Sequence, residues 1–292
     1  MFGLLEWGTT VQRWPLGASG KSDDIEEALA IFRRTLEIRR RIGDKIEIEN
    51  TFYDIAGGIW RTSDGIDEAE TLQQEALALQ RHTGSPADIS LSLQALAHHA
   101  LLQGDVEAAR RGGEEALQLA RQIGNIPGTD QALMVMCTID IVTDQIENAQ
   151  RHLEEALSLG LEGTAFHSDH VLSHGFIHLG LGEWDEAEQA LIEFLNIPAR
   201  NIAEKASSLV GIGFIVARHG QPERGLELAS LGLNHPYMPK AFANSPLFAR
   251  HLDAMRAELS ADVYAAAWER GKSLDLNGII QELIEAYTDT AG

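Results

Sequence analysis

Cysteine is almost missing from this 292-residue sequence; Cys137 stands alone. A single thiol cannot close an internal disulfide. That excludes a cross-linked secreted scaffold and suits a reducing cytoplasm. Basic residues are scarce too: 23 Lys and Arg face 44 Asp and Glu, a net charge of −21. Such a chain repels nucleic acid and anionic lipid unless a strong local basic patch overrides the sum. The one basic stretch, "RTLEIRRR", lies among glutamates on a helix. No apolar run approaches the roughly 20 residues of a membrane span. The opening "MFGLLEWGTT" has neither a basic leader nor a long apolar stretch, so no export signal is expected. The expectation is a cytoplasmic protein with no nucleic acid and no membrane partner.

A complete phosphate loop is also lacking. "PLGASGKSDD" ends like one, but a loop read back from Lys21 needs glycine at position 15, where Pro15 stands. No apolar strand precedes it, and the following helix opens with Asp23, Asp24, Glu26 and Glu27, which repel an anion. The stretch reads as a turn with Asp23 or Asp24 as N-cap, and no cofactor is expected.

What the sequence does have is a repeat. Ala28, Ala69, Ala109, Ala149, Ala187 and Gly225 recur at intervals of 38 to 41 residues. Three residues before each sit Ile25, Ile66, Val106, Ile146, Trp184 and Pro222; eight after each sits a leucine, from Leu36 to Leu233. Twelve before, from the second repeat on, come Gly57, Ala97, Cys137, Gly175 and Gly213, all small. Turns such as "SDG", "QGD" and "LGE" separate the two halves. Each repeat therefore reads as two helices, with close approach at the small positions. Gly43, Gly84, Gly124 and Gly163 close the second helices, and Pro198 and Pro236 stop the later ones. Two helices cannot bury their apolar faces alone, so the pairs stack.

The succession "AGGIWRTSDGIDEAETLQQEAL" resembles the tetratricopeptide repeat, although these repeats exceed the usual 34 residues. "LSADVYAAAWERGKSLDLNGIIQEL" resembles the segment that closes the helical sensor regions of bacterial signalling ATPases and LuxR-type regulators, through Ala267, Trp268, Gly271 and Leu274. Asn277-Gly278 departs from that pattern and predicts a later start for the last helix. The resemblance implies an all-α, right-handed superhelical solenoid of about six hairpins. It covers roughly residues 21–287, and the chain is expected to divide into an irregular N-terminal segment or partial first hairpin (1–22), repeats (23–236) and C-terminal capping helices (237–292).

In that architecture the first helices line a concave groove. Its inward positions include Arg61, Gln94, His98, Gln131, Met134, Leu172, Phe176, Val210, Phe214 and Arg218, polar at the N-terminal end and apolar beyond. The groove suits an amphipathic helix or an extended peptide. The same apolar residues also suit packing against a neighbouring turn or against C-terminal helices that fold back. The last amphipathic helix, "GIIQELIEAY", either caps the final repeat or fills the groove. The leading expectation is a non-enzymatic protein- or peptide-binding sensor or scaffold, standing alone or as a fragment of a larger regulator. A small-molecule sensor is the alternative. A third reading rests on His167, His170, His174 and His178, which share one helix face. His174, His178 and Asp140 form a conceivable ligand set for a metal-dependent hydrolase, but core packing is the stronger reading and neither a metal nor catalysis is expected. Cys137 reads as an inert core residue.

Overall fold

The computed structural model describes residues 22–43, 66–83, 85–161, 167–197 and 202–291, together with Ile48, Thr51 and Ile55. Among them are fourteen helices and no strand. The helices are α1 (Ser22–Ile42), α2 (Ile66–Thr83), α3 (Pro86–Gln103), α4 (Val106–Gln122), α5 (Ile126–Val142), α6 (Ile146–Ser158) and α7 (His167–Leu181). They continue as α8 (Trp184–Asn196), α9 (Ile202–Arg218), α10 (Pro222–Leu233), α11 (Lys240–Ala243), α12 (Pro246–Glu258), α13 (Ala261–Lys272) and α14 (Leu276–Ala291). No described helix is long and apolar enough to cross a membrane. The described residues divide into two compact units, the first within Met1–His99 and Arg111–Ala132, the second within Ala100–Arg110 and Leu133–Gly292.

In the first unit Leu36, Ile48, Ile55, Ala69, Leu72 and Ala76 form one core, with Phe32 and Leu79 against it. Arginines tie α1 to α2 and α2 to α4. Arg33 grips Glu68 through two hydrogen bonds of 2.9 and 2.6 Å, Arg40 pairs with Glu75, and Arg81 reaches Glu115 at 3.0 Å. These pairs are half exposed, so each is worth no more than about 1 kcal/mol. They set register more than stability. Buried polar groups bond across helices: Ser92 donates to the Gln80 side-chain carbonyl (2.7 Å) and Ser90 to the Ala116 carbonyl (2.9 Å).

In the second unit α7 lies on α8, α9 on α10, and both α6 and α9 on α7. The anchor residues Ala149 and Ala187 are fully buried, as Ala69 and Ala109 are in their own surroundings. The tightest approach joins Gly213 and Gly225: a Cβ on Gly225 would meet the Gly213 carbonyl at 2.3 Å. The C-terminal helices α13, α12 and α14 pack on α10, on α9 and α10, and on α8 respectively. Gly271 admits α13 to α10, because a Cβ there would lie 2.4 Å from the Glu227 carbonyl.

Two sequence expectations shift. The last helix begins at Leu276, not after Gly278; Asp275 accepts a hydrogen bond from the Gly278 amide (2.7 Å), so Asn277 and Gly278 fall in a capped first turn where glycine costs little. The left-handed residue after α6 is Gly160, while Gly84, Gly163 and Pro198 lie outside the described residues. The N-terminal segment up to Lys21 lies outside them too, and α1 already includes Asp23 and Asp24.

Candidate functional site

Of the expected groove residues, Arg61 lies outside the described residues. In the first unit Gln94 is buried and its amide donates to the Ser90 hydroxyl (3.2 Å) and the Gly128 carbonyl (3.1 Å). It staples α3 to the start of α5 and has little left to offer a partner. His98 is exposed and Gln131 half-buried.

The other six belong to the second unit. Leu172 on α7 is half-buried and Arg218 at the end of α9 is exposed, its guanidinium 5.8 Å from the centre of the Trp184 ring. Met134, Phe176, Val210 and Phe214 are buried. The cover over the two phenylalanines is the chain's own α11–α12 segment. The ring of Phe248, fully buried, lies 5.8 Å from Phe176 and 5.4 Å from Phe214, centre to centre. Phe242 adds a contact at 5.3 Å to Phe176. His251 stacks on Phe214 at 5.0 Å and meets Trp184 edge-on. Such aromatic pairs contribute about 0.5–1.5 kcal/mol each beyond area burial.

Two further contacts fasten the α11–α12 segment. Arg250 donates to the Asp144 carboxylate and to the Gly180 carbonyl, both at 2.9 Å. Asp144 sits in the turn between α5 and α6 with φ of +58°. At the other end the Lys240 side chain abuts Gly104 in the turn between α3 and α4. The sequence offered a local signal for this segment: Ser245-Pro246 is a helix start, and the Ser245 hydroxyl indeed accepts from the Leu247 amide (3.1 Å). Its aromatic pair has no counterpart in the repeat and escaped the periodic reading.

The postulated ligand set does not converge. Asp140, fully buried, accepts from Arg110 (3.0 Å) and from Nδ1 of His152 (2.9 Å). His178 bonds Glu183 through Nδ1 (2.6 Å), and its ring stacks on that of His174 at 5.7 Å. Among the described residues no group of three or more His, Cys, Asp or Glu side chains is placed to hold an ion. The Cys137 thiol is buried and pushed up to about 12, chiefly by desolvation, so at neutral pH it stays a thiol rather than the nucleophilic thiolate.

No protein-family model matches the chain, and no curated protein sequence does. A solved structure does: the crystal structure of BtubC (BKLC) from P. vanneervenii, at a TM-score of 0.52 and 18% identity, over 81% of this chain and 94% of that one. The fold is similar to that of BtubC. At that identity the likeness speaks for helical architecture and for nothing bound to it.

Burial fixes a pH dependence. Desolvation holds His251 at about 4, helped by the nearby Arg250 charge, and holds His99 at about 4, helped by His98. The unfolded chain takes up these protons near pH 6.5 and the folded chain does not. Stability is therefore full above pH 6.5 and falls as pH drops from 6.5 towards 4, by roughly 3 kcal/mol per residue at the bottom of that window. Urea unfolding at pH 7.5 and 4.5 should show the loss, and His251→Phe should remove the share that His251 contributes, leaving that of the other histidines. A variant with the full wild-type slope contradicts the assignment.

Proposed function

We infer that the chain is a non-enzymatic helical-repeat module, tetratricopeptide-like in about six hairpins of a right-handed superhelix, that binds a protein or peptide segment in bacterial signalling or transcriptional regulation. The binding surface is the face of α7 and α9 that carries Leu172, Phe176, Phe214 and Arg218. One observation supports this reading above others: that face already holds an amphipathic helix, α12, through a ring seated between two phenylalanines. A surface whose shape and chemistry suit one such helix suits another. The helix-turn-helix part of the reading is supported by five equivalent turns, after α3, α4, α5, α7 and α9. In each, one amide bonds back three residues and the next bonds back five.

Aspartate at Phe176 or Phe214 would bury an unpaired charge and unfold the unit, so it cannot report on binding. Leu172 and Arg218 reach solvent and can. The Leu172→Glu, Arg218→Glu double variant is expected to keep its helical circular dichroism and lose at least tenfold in affinity for a partner captured by wild type. Undiminished capture by the folded variant rules this face out.

A further inference from the structure

The turns after α3, α5, α7 and α9 place one residue each in the left-handed region: Gly104 (φ +86°), Asp144 (+58°), Gly182 (+79°) and Gly220 (+87°). Three are glycine, which enters that region without cost; the fourth is aspartate, which does not. The backbone bonds are equivalent in all four turns, so turn geometry gives no reason for the exception. What distinguishes Asp144 is its carboxylate. One oxygen accepts from Arg250, 106 residues away, and the other is buried with no hydrogen-bond partner. A strained residue with an under-used carboxylate, facing the segment that covers the α7–α9 face, marks a contact kept for more than packing. Arg250 itself is 43% exposed, so a competitor can reach the pair from solvent.

We propose that α11–α12 is a releasable internal occupant, latched by Arg250 on Asp144, and that the partner it gives way to is a protein helix bearing an aromatic residue followed two positions later by arginine, the pattern of Phe248-Ala249-Arg250. This rests on reading the α7–α9 face as a binding surface and adds the partner's chemistry and its control. The aromatic ring enters between Phe176 and Phe214. The guanidinium takes the Asp144 carboxylate and the Gly180 carbonyl at the end of α7, an acceptor that favours a cation. The internal segment is tethered at both ends and competes at a high effective concentration, so wild type binds the partner weakly until the latch is broken.

The probe is a fluorescein-labelled peptide of residues 238–259, titrated against full-length protein. Arg250→Glu, at an exposed position that spares the fold, should bind it at least tenfold more tightly than wild type. Adding Asp144→Lys should abolish the gain, and a peptide with alanine for both Phe248 and Arg250 should not bind. Equal affinity for wild type and Arg250→Glu, or binding indifferent to Asp144, overturns the proposal. Hydrogen exchange on unmutated protein gives a second check: amides of 246–258 should exchange at least tenfold faster than those of α9 and α10, and equal protection makes the segment part of the permanent core and overturns release. Panning a helical peptide library against Arg250→Glu separates this proposal from the reading beneath it. Enrichment of aromatic-x-Arg sequences supports it. Enrichment of other sequences overturns it and leaves the binding surface standing. Enrichment of none overturns both.

Discussion

Gly225→Ala should destabilise the second unit by at least about 3 kcal/mol, at the top of the range for overpacked cores. The added methyl would lie 2.3 Å from the Gly213 carbonyl and 2.7 Å from both the Ala217 amide and its Cβ. None of these is the far end of a flexible side chain. They are helix backbone and a first carbon, so relief requires α9 and α10 to part. The same seam sets Leu228 and Ala229 of α10 against Gly213, and Gly232 against Ala206 and Val210 of α9, and these contacts would loosen together. Alanine's better helix propensity returns only about 1 kcal/mol. Gly213→Ala should cost as much, since its Cβ would meet the Gly225 carbonyl at 2.5 Å. The double variant should cost well under the sum, because helices already moved apart admit the second methyl. Urea titrations of the three variants measure this. A Gly225→Ala protein within 1 kcal/mol of wild type would mean the seam is looser than described.

Asp140→Ala should cost roughly 2–4 kcal/mol. The carboxylate sits in the last turn of α5, where the helix dipole disfavours a negative charge. It is tolerated because Arg110 of α4 and His152 of α6 both donate to it, so one buried group joins three helices. Removing it strands a guanidinium and an imidazole N–H. The penalty for a broken buried pair is about 3–5 kcal/mol, and Arg110, 23% exposed, can recover part of it from water. Asp140→Asn keeps an acceptor and should cost less than alanine. A double-mutant cycle between Arg110→Ala and Asp140→Ala should return a coupling above 1 kcal/mol; additivity would deny the pair its role.

Much of the helical pattern was legible because it is local. A small residue recurring at a fixed interval states where backbones approach, and Ala69, Ala109, Ala149 and Ala187 are all fully buried, with Gly213 meeting Gly225 at the same two positions of a later repeat. The candidate site was legible only in part. An apolar inner face has the same sequence whether it awaits a partner or is already covered, so Phe176 and Phe214 could not announce Phe248. That contact is non-periodic and spans 72 and 34 residues of chain. Asp140 illustrates the same limit. Helical spacing placed it opposite His174 and His178, but the carboxylate is met instead by Arg110, whose charge is permanent, and by His152.

The solitary thiol has a practical corollary. Cys137 is wholly shielded on α5, beside the Ser173 hydroxyl of α7, and the sequence holds no second thiol to confuse its chemistry. Alkylation at that one atom therefore counts openings of the second unit, turning an inert interior side chain into a stopwatch for how often the molecule breathes.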